Sequence, residues 1–236
     1  MQAVDVWWCH WAEAPRGLER LLSADEIHRY SRFSRESDRL RFAVGAAMVR
    51  VLASRELRIA PAAIEIDRRC GRCGGPHGRV SIPSLRDLNV SVTHSGALVG
   101  VARFGTAPVG LDVETMVAGR DYFEDLWSIL TQQERASLSR VPSSELDEAL
   151  LRLWTRKEAV VKAAGEGLMA DIAEIDIGVP NSSRLRSWRN KPKLLVDIVA
   201  MADVQTPSSQ IASVAALSPS PLQVLVHDGL ELLTGI

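Results

Sequence analysis

Three carboxylates and a lysine in this chain are spaced for chemistry on phosphate. In WTRKEAVVK at 154–162, Trp154, Glu158 and Lys162 stand at i, i+4 and i+8, one stripe of a helix, while Ala159, Val160 and Val161 fall on other faces. Upstream, GLDVE at 110–114 alternates, with Val109, Leu111 and Val113 on one side of a strand and Asp112 and Glu114 on the other. Residues i and i+2 of a strand lie roughly 6.5–7 Å apart on one face, close enough to share a cation. Two acids side by side on a strand, and a third on a helix with Lys157 and Lys162 around it, point to a divalent metal and phosphate oxygens. Each fragment alone has a plainer reading. Glu158 followed by Lys162 is the favoured order for a helical surface ion pair, about 0.2–0.5 kcal/mol, and Asp112 with Glu114 fits the solvated face of an edge strand. Their joint occurrence favours a phosphoryl-transfer site.

The elements that must position these groups can be read from periodicity and punctuation. A helix is expected to start at Ser143 or Ser144 and run to about Ala164, where Gly165 and Gly167 stop it. Tyr122–Leu130 reads as a helix, and Thr131 with Glu134 as a capping box. Further β segments follow in EIDIG (174–178), LLVDIVA, IASVAAL and PLQVLVHD, and the polar stretch 180–193 reads as a surface loop. In the first half, VDVWWCHW (4–11) reads as a strand, and Ser23 with Glu26 forms a capping box opening a long helical region to Leu57. IEIDR (64–68) reads as a strand and CGRCGGPHG (70–78) as a loop. NVSVTHS (89–95) and LVGVARF (98–104) read as a hairpin around Ser95-Gly96. The fold class is therefore α+β: a pseudo-twofold pair of α/β subdomains, 1–105 and 106–236, each a small, mostly antiparallel sheet on a long helix.

Composition bounds the partners. With 236 residues, 28 Lys+Arg and 29 Asp+Glu, the net charge is −1, so no global field argues for a nucleic-acid or membrane partner, and anion binding must be local. Three cysteines, two of them in one C-x-x-C, make no disulfide framework and fit a reducing compartment. The N-terminal stretch, with Asp5 and three tryptophans, lacks the pattern of a signal peptide, and no apolar run reaches the ~20 residues of a membrane span. A cytoplasmic protein is expected. Cys70, Cys73 and His77 invite a zinc reading, but a closed structural site needs four ligands and no fourth lies near in sequence.

Together these blocks resemble the surfactin-type 4′-phosphopantetheinyl transferases. That family's G-[IV]-D-[IV]-E strand, W-x-x-K-E-x-x-x-K helix and N-x-S-H-S-G turn are matched by GLDVE, WTRKEAVVK and SVTHSG, in the expected order. Weaker matches are Arg41-Phe42 with Gly45 and Arg50, and His77-Gly78-Arg79 for an H-G-K-P turn, with Val80 in place of proline. The resemblance implies Mg²⁺-dependent transfer of the phosphopantetheine arm of coenzyme A to a serine of an apo carrier protein, with release of 3′,5′-ADP, as in holo-[acyl-carrier-protein] synthases. It implies Asp112, Glu114 and Glu158 as metal ligands, and Glu158 as base, directly or through a metal-bound water. Lys162 would steady the departing phosphate. Thr93, His94, Arg79, Lys157 and Lys162 would contact coenzyme A, with Arg29 and Arg41 on its 3′-phosphate. The N-terminal subdomain would then carry coenzyme A phosphate contacts, and the C-terminal one the metal site and catalytic helix. Polyketide, nonribosomal-peptide or fatty-acid carriers are the expected partners of a monomer, docking on apolar side chains among Met116, Tyr122, Phe123 and Trp127. The alternatives are a non-catalytic coenzyme A- or carrier-binding module of the same fold, and a zinc-knuckle nucleic-acid protein built on CGRCGGPHG.

Overall fold

Valine-rich alternation and two long helices give this chain a four-layer arrangement. The computed structural model describes residues 3–71, 73–76, 78–105, 107–167, 170–178 and 182–235, and every structural statement below concerns those. The first half holds β1 (Ala3–His10), α1 (Ala24–Ser31), α2 (Glu36–Leu57), β2 (Asn89–Ser95) and β3 (Leu98–Phe104). Then come β4 (Val109–Glu114), α3 (Tyr122–Leu126), α4 (Gln132–Leu138), α5 (Leu146–Ala164), β5 (Ile175–Asp176), β6 (Ser187–Trp188), α6 (Lys193–Asp197), β7 (Val199–Val204), β8 (Ile211–Leu217), β9 (Gln223–Asp228) and α7 (Gly229–Thr234).

One sheet has the order β2-β3-β1-β9 and another β4-β8-β7, with β5 and β6 forming a small pair. Alternation decides what each face meets. Cys9, Val90, Val99 and Val101 pack on α2. Val4, Val6, Trp8, Leu98 and Phe104 point the other way and meet Val109, Leu111, Val113 and Val214 of the second sheet. That sheet turns Val199, Met201, Ile211 and Ala215 to the apolar face of α5. Helix, sheet, sheet and helix thus stack in order, each fully buried Val or Leu contributing about 1.5–3 kcal/mol.

Several sequence expectations hold in detail. The capping boxes at Ser23/Glu26 and Thr131/Glu134 both form. The helix bearing Glu158 and Lys162 runs to Ala164 and ends on Gly165 at φ 74°, a left-handed residue suited to a helix stop. Others are corrected. The expected single helix from Ser23 to Leu57 is two, separated at 32–35. IEIDR is no strand, only a bridge between Asp67 and Ser81, because no neighbouring strand lies beside it. LLVDIVA divides into α6 and the start of β7. PLQVLVHD does form a strand, β9, but it pairs in parallel with β1, Val4 opposite Val224 and Val6 opposite Val226, so a late segment completes the first sheet. No described helix is long and apolar enough to cross a membrane.

Candidate active site

The two sheets converge along β2 and β4, and side chains rather than backbone ladders join them there. Ser91, Thr93 and Ser95 alternate along β2 and therefore share a face. Ser91 Oγ accepts from Leu111 N at 3.0 Å, Thr93 Oγ1 donates to Asp112 Oδ1 at 3.3 Å, and Ser95 Oγ donates to Glu114 Oε2 at 3.0 Å while accepting from Thr115 N at 3.0 Å. Three small hydroxyls thus fix the register of β4 and aim both its acids.

Helix α5 lies across the seam, and Gly110 permits it. A Cβ at that position would stand 2.0 Å from Ala159 O and 2.8 Å from Lys162 Cβ, so any larger residue would lift the helix from the strand. The approach brings Lys162 Nζ to 2.6 Å from Asp112 Oδ1, 3.0 Å from Leu111 O and 3.5 Å from Thr93 Oγ1. Trp154 Nε1 donates to Glu114 Oε1 at 3.4 Å. Asp112 is 6% exposed, and its second oxygen, Oδ2, is sealed from solvent without a hydrogen-bond partner. Burial pushes its carboxyl up to about 6, against the pull of Lys162 and with help from Glu114 and Glu158. Glu158 is likewise raised by burial and by Glu114, and opposed by Lys162.

The geometry tests the metal expectation. Among the described residues no three His, Cys, Asp or Glu side chains are already gathered as ligands, and the ammonium of Lys162 is the cation beside Asp112. The orphaned Asp112 Oδ2 and the mutually repelling Glu114 and Glu158 nevertheless form an all-oxygen, electron-rich set that fits a hard divalent cation.

Beyond β2 lies a basic cleft of about 310 Å³, with Arg29, Arg41, Arg68 and His94 on its polar side and Phe33 and Phe42 among its apolar lining. Arg41 is fixed by Gly96 O at 2.7 Å and by Asp38 at 2.7 Å. Arg29 lies over the Phe42 ring, 5.0 Å from its centroid. Burial, then Arg41 and Lys162, lower the pKa of His94, which favours the neutral imidazole. A larger cleft, about 600 Å³, opens just past Glu114 among Thr115, Met116, Glu148, Arg152 and Gln210.

Not every expected residue joins the site. Lys157 is fully buried: its ammonium meets Glu134 Oε2 at 2.7 Å, Ile129 O at 2.7 Å and Ile172 O at 3.2 Å, which occupies all three donors and leaves none for a ligand. Its expected coenzyme A contact is corrected to a structural one. Thr93 is buried and turned to Asp112 and Lys162. Arg79 is exposed and lines neither cleft, while His77 lies outside the described residues. Tyr122, expected on a docking surface, is core, its hydroxyl accepting from Val117 N at 2.6 Å; Met116 and Phe123 are exposed. Sequence reasoning misses Arg68, Ser91 and Ser95, although the hydroxyls at alternate positions of NVSVTHS carry a signal.

Residues 108–194 match the family model described as the 4′-phosphopantetheinyl transferase superfamily. A Synechocystis protein with a provisional 4′-phosphopantetheinyl transferase name is 28% identical over 77% of this chain and 76% of its own length. HetI, a 4′-phosphopantetheinyl transferase of Nostoc, is 28% identical over 69% of this chain and 67% of its own. The Bacillus subtilis 4′-phosphopantetheinyl transferase Sfp is 26% identical over 62% of each chain. The segment matched by the family model contains β4 and α5, the two elements that meet at Asp112 and Lys162, and by these comparisons the chain resembles the surfactin-type 4′-phosphopantetheinyl transferases.

Proposed function

We propose that this protein transfers the 4′-phosphopantetheine arm of coenzyme A to a serine of an apo carrier protein and releases 3′,5′-ADP. The observation that carries the reading is the junction of β4 and α5, where Lys162 reaches Asp112 with Glu114 and Glu158 around it, at the edge of an arginine-lined cleft. In the reaction the serine Oγ bonds to the phosphorus that bears pantetheine, the anhydride P–O bond breaks, and the hydroxyl proton leaves to a base. Glu158 is suited to take that proton, because its raised pKa makes it a stronger base than a free carboxylate. Lys162 is placed to move from Asp112 toward the oxygens of the departing phosphate, supplying charge where negative charge develops. Asp112, Glu114 and Glu158 would hold Mg²⁺, which when bound neutralises the pyrophosphate. Arg29, Arg41 and His94 would orient the nucleotide end in the basic cleft.

The domain division 1–105 and 106–236 enters this reading with one change: β9 and α7, from the second segment, pack on the first. The exposed Met116 and Phe123, with Phe123 stacked on Trp127 at 4.4 Å, supply an apolar surface for the carrier beside the larger cleft. The test is incubation with coenzyme A, Mg²⁺ and a panel of apo carriers, read by mass spectrometry. Carriers gaining the mass of the arm support the reading; bound coenzyme A without any such gain across the panel would make the chain a binding module.

A further inference from the structure

Among the described residues, the two larger sheets have four outer edges, and three of them are closed. β2 and β4 close on each other through Ser91, Thr93 and Ser95. The outer side of β7 is covered by residues 183–185, with Met201 N donating to Ser183 O at 2.9 Å and Leu185 N to Val199 O at 3.3 Å. β9 is the fourth edge, and no described strand pairs with it on the side away from β1. Exposed edges are ordinarily guarded by charge, proline or a bulge, because their free N–H and C=O groups accept a further strand. Residues 223–227 hold no Asp, Glu, Lys, Arg or Pro, and the register with β1 runs unbroken from Ala3 opposite Gln223 to Trp8 opposite Asp228. Leu225 and Val226 stand 41% and 46% exposed instead.

The edge is also held rigid. Trp7 stacks on His227 with ring centroids 4.8 Å apart, and His227 Nε2 lies 2.7 Å from Asp5 Oδ1. Just beyond, Gly229 packs so closely that a Cβ there would stand 2.8 Å from Trp8 O. A strand ordered in advance loses little entropy when it pairs. Its own sequence selects the partner. Two copies related by a twofold axis normal to the sheet run antiparallel, and residues opposite each other must share a face, so their numbers are both odd or both even. Centring the pair on Val224 would bring Pro221, which has no N–H, into the ladder. Centring it on Val226 would set the Asp228 carboxylate against Val224. Centring it on Leu225 sets Leu225 against its own copy and Val224 against Val226 on either side, with the polar Gln223 and His227 meeting at the ends. Val224 already packs on the core between the two sheets, so Val226 of the second copy would continue that core across the junction.

We propose that β9 is a homodimer interface, in which the β9 strands of two copies pair antiparallel about Leu225 and join their sheets into one. This replaces the monomer expected from the sequence. β9 and β2 lie at opposite edges of their sheet, so the seam holding Asp112 and Lys162 stays open in both copies. One short ladder makes a small interface, and a Kd of about 1–100 μM is expected. The experiment is sedimentation of the wild type across that range, where its mass should rise from 25.8 kDa toward twice that value. Leu225→Lys sets two ammonium groups face to face and should stay at 25.8 kDa, with the thermal midpoint of the dilute protein and carrier modification unchanged. In a Cys70→Ser/Cys73→Ser background, Leu225→Cys should form an intermolecular disulfide in a glutathione redox buffer, because the two cysteines face each other. Gln223→Cys, which faces His227 of the copy, should not. A wild type at 25.8 kDa throughout overturns the proposal and leaves the edge to a different chain. Self-association that survives Leu225→Lys, or a disulfide at Gln223→Cys in place of Leu225→Cys, overturns it as well.

Discussion

Helix α5 carries two lysine–carboxylate pairs, five residues apart, that look alike in distance and differ in everything else. Lys157 meets Glu134 at 2.7 Å with both side chains at 0% exposure; Lys162 meets Asp112 at 2.6 Å with side-chain exposures of 31% and 9%. The first pair is closed. Glu134 also accepts from Thr131 N at 2.8 Å and Ile177 N at 3.1 Å, and Lys157 has all its donors engaged. The second is open, with an orphaned Asp112 Oδ2 and a partly exposed ammonium. A saturated pair fixes α5 against α4; an unsaturated one leaves charge for a ligand to complete. Whether a buried ion pair is architecture or chemistry is decided by what remains unbonded around it.

The largest effect that would sharpen this contrast is at Glu158. Glu158→Gln keeps shape and helix propensity, so the thermal midpoint should hardly move, while kcat falls by about 10²–10⁴, the worth of a positioned base. Near-normal turnover at saturating Mg²⁺ would remove Glu158 from the reacting centre.

The second contrast uses the lysines themselves. Lys157→Met strands Glu134 in the core and should cost about 3–5 kcal/mol in denaturant unfolding, with Lys157→Met/Glu134→Leu recovering much of it. Lys162→Met takes the ammonium from a buried Asp112 that can stay neutral by keeping its proton, so it should cost less stability than Lys157→Met while abolishing transfer. Equal stability losses in the two single variants would erase the distinction between closed and open pairs.

A pH series tests the open pair more finely. Asp112 is raised from 3.8 to about 6 in the fold, so its protonated form is favoured there. The stability this contributes is fully present below 3.8 and is lost as pH rises through about 6. Asp112→Asn should therefore melt higher than the metal-free wild type above that pH, by roughly 1–3 kcal/mol, and the gap should close as pH falls toward 3.8. A variant less stable than wild type at neutral pH would mean that Lys162 more than offsets burial. The smallest effect is expected at Ser95→Ala, which removes one hydrogen bond to Glu114 and one from Thr115 N, about 1–3 kcal/mol, and should weaken Mg²⁺ stabilisation of the fold more than it alters the Mg²⁺-free midpoint.

The strand and helix bearing the acids are legible because each declares its period: alternation in VGLDVE, and a stripe of i, i+4, i+8 in α5. The same periodicity holds the answer for Lys157. Leu150, Leu153, Lys157, Val160 and Ala164 follow the apolar register of the helix, so Lys157 sits on its buried face; its partner Glu134 shows in the sequence only as a capping residue. IEIDR alternates like a strand yet has no partner to make it one, since local pattern reports a face and not a neighbour. Arg68 is illegible for a related reason: that its Nε is buried without a hydrogen-bond partner shows only in the packed chain.

The parallel pairing of β1 with β9 sets an order of events during synthesis. Trp7 and Trp8 leave the ribosome early, but their strand neighbours His227 and Asp228 are made more than two hundred residues later. Until then β1 can pair only with β3, and its other edge is left without a strand. Contacts so distant in sequence close slowly and leave an unpaired strand edge in the meantime. Stopping translation before Gln223 should therefore yield a nascent chain that engages chaperones, and release of the full strand should end that engagement.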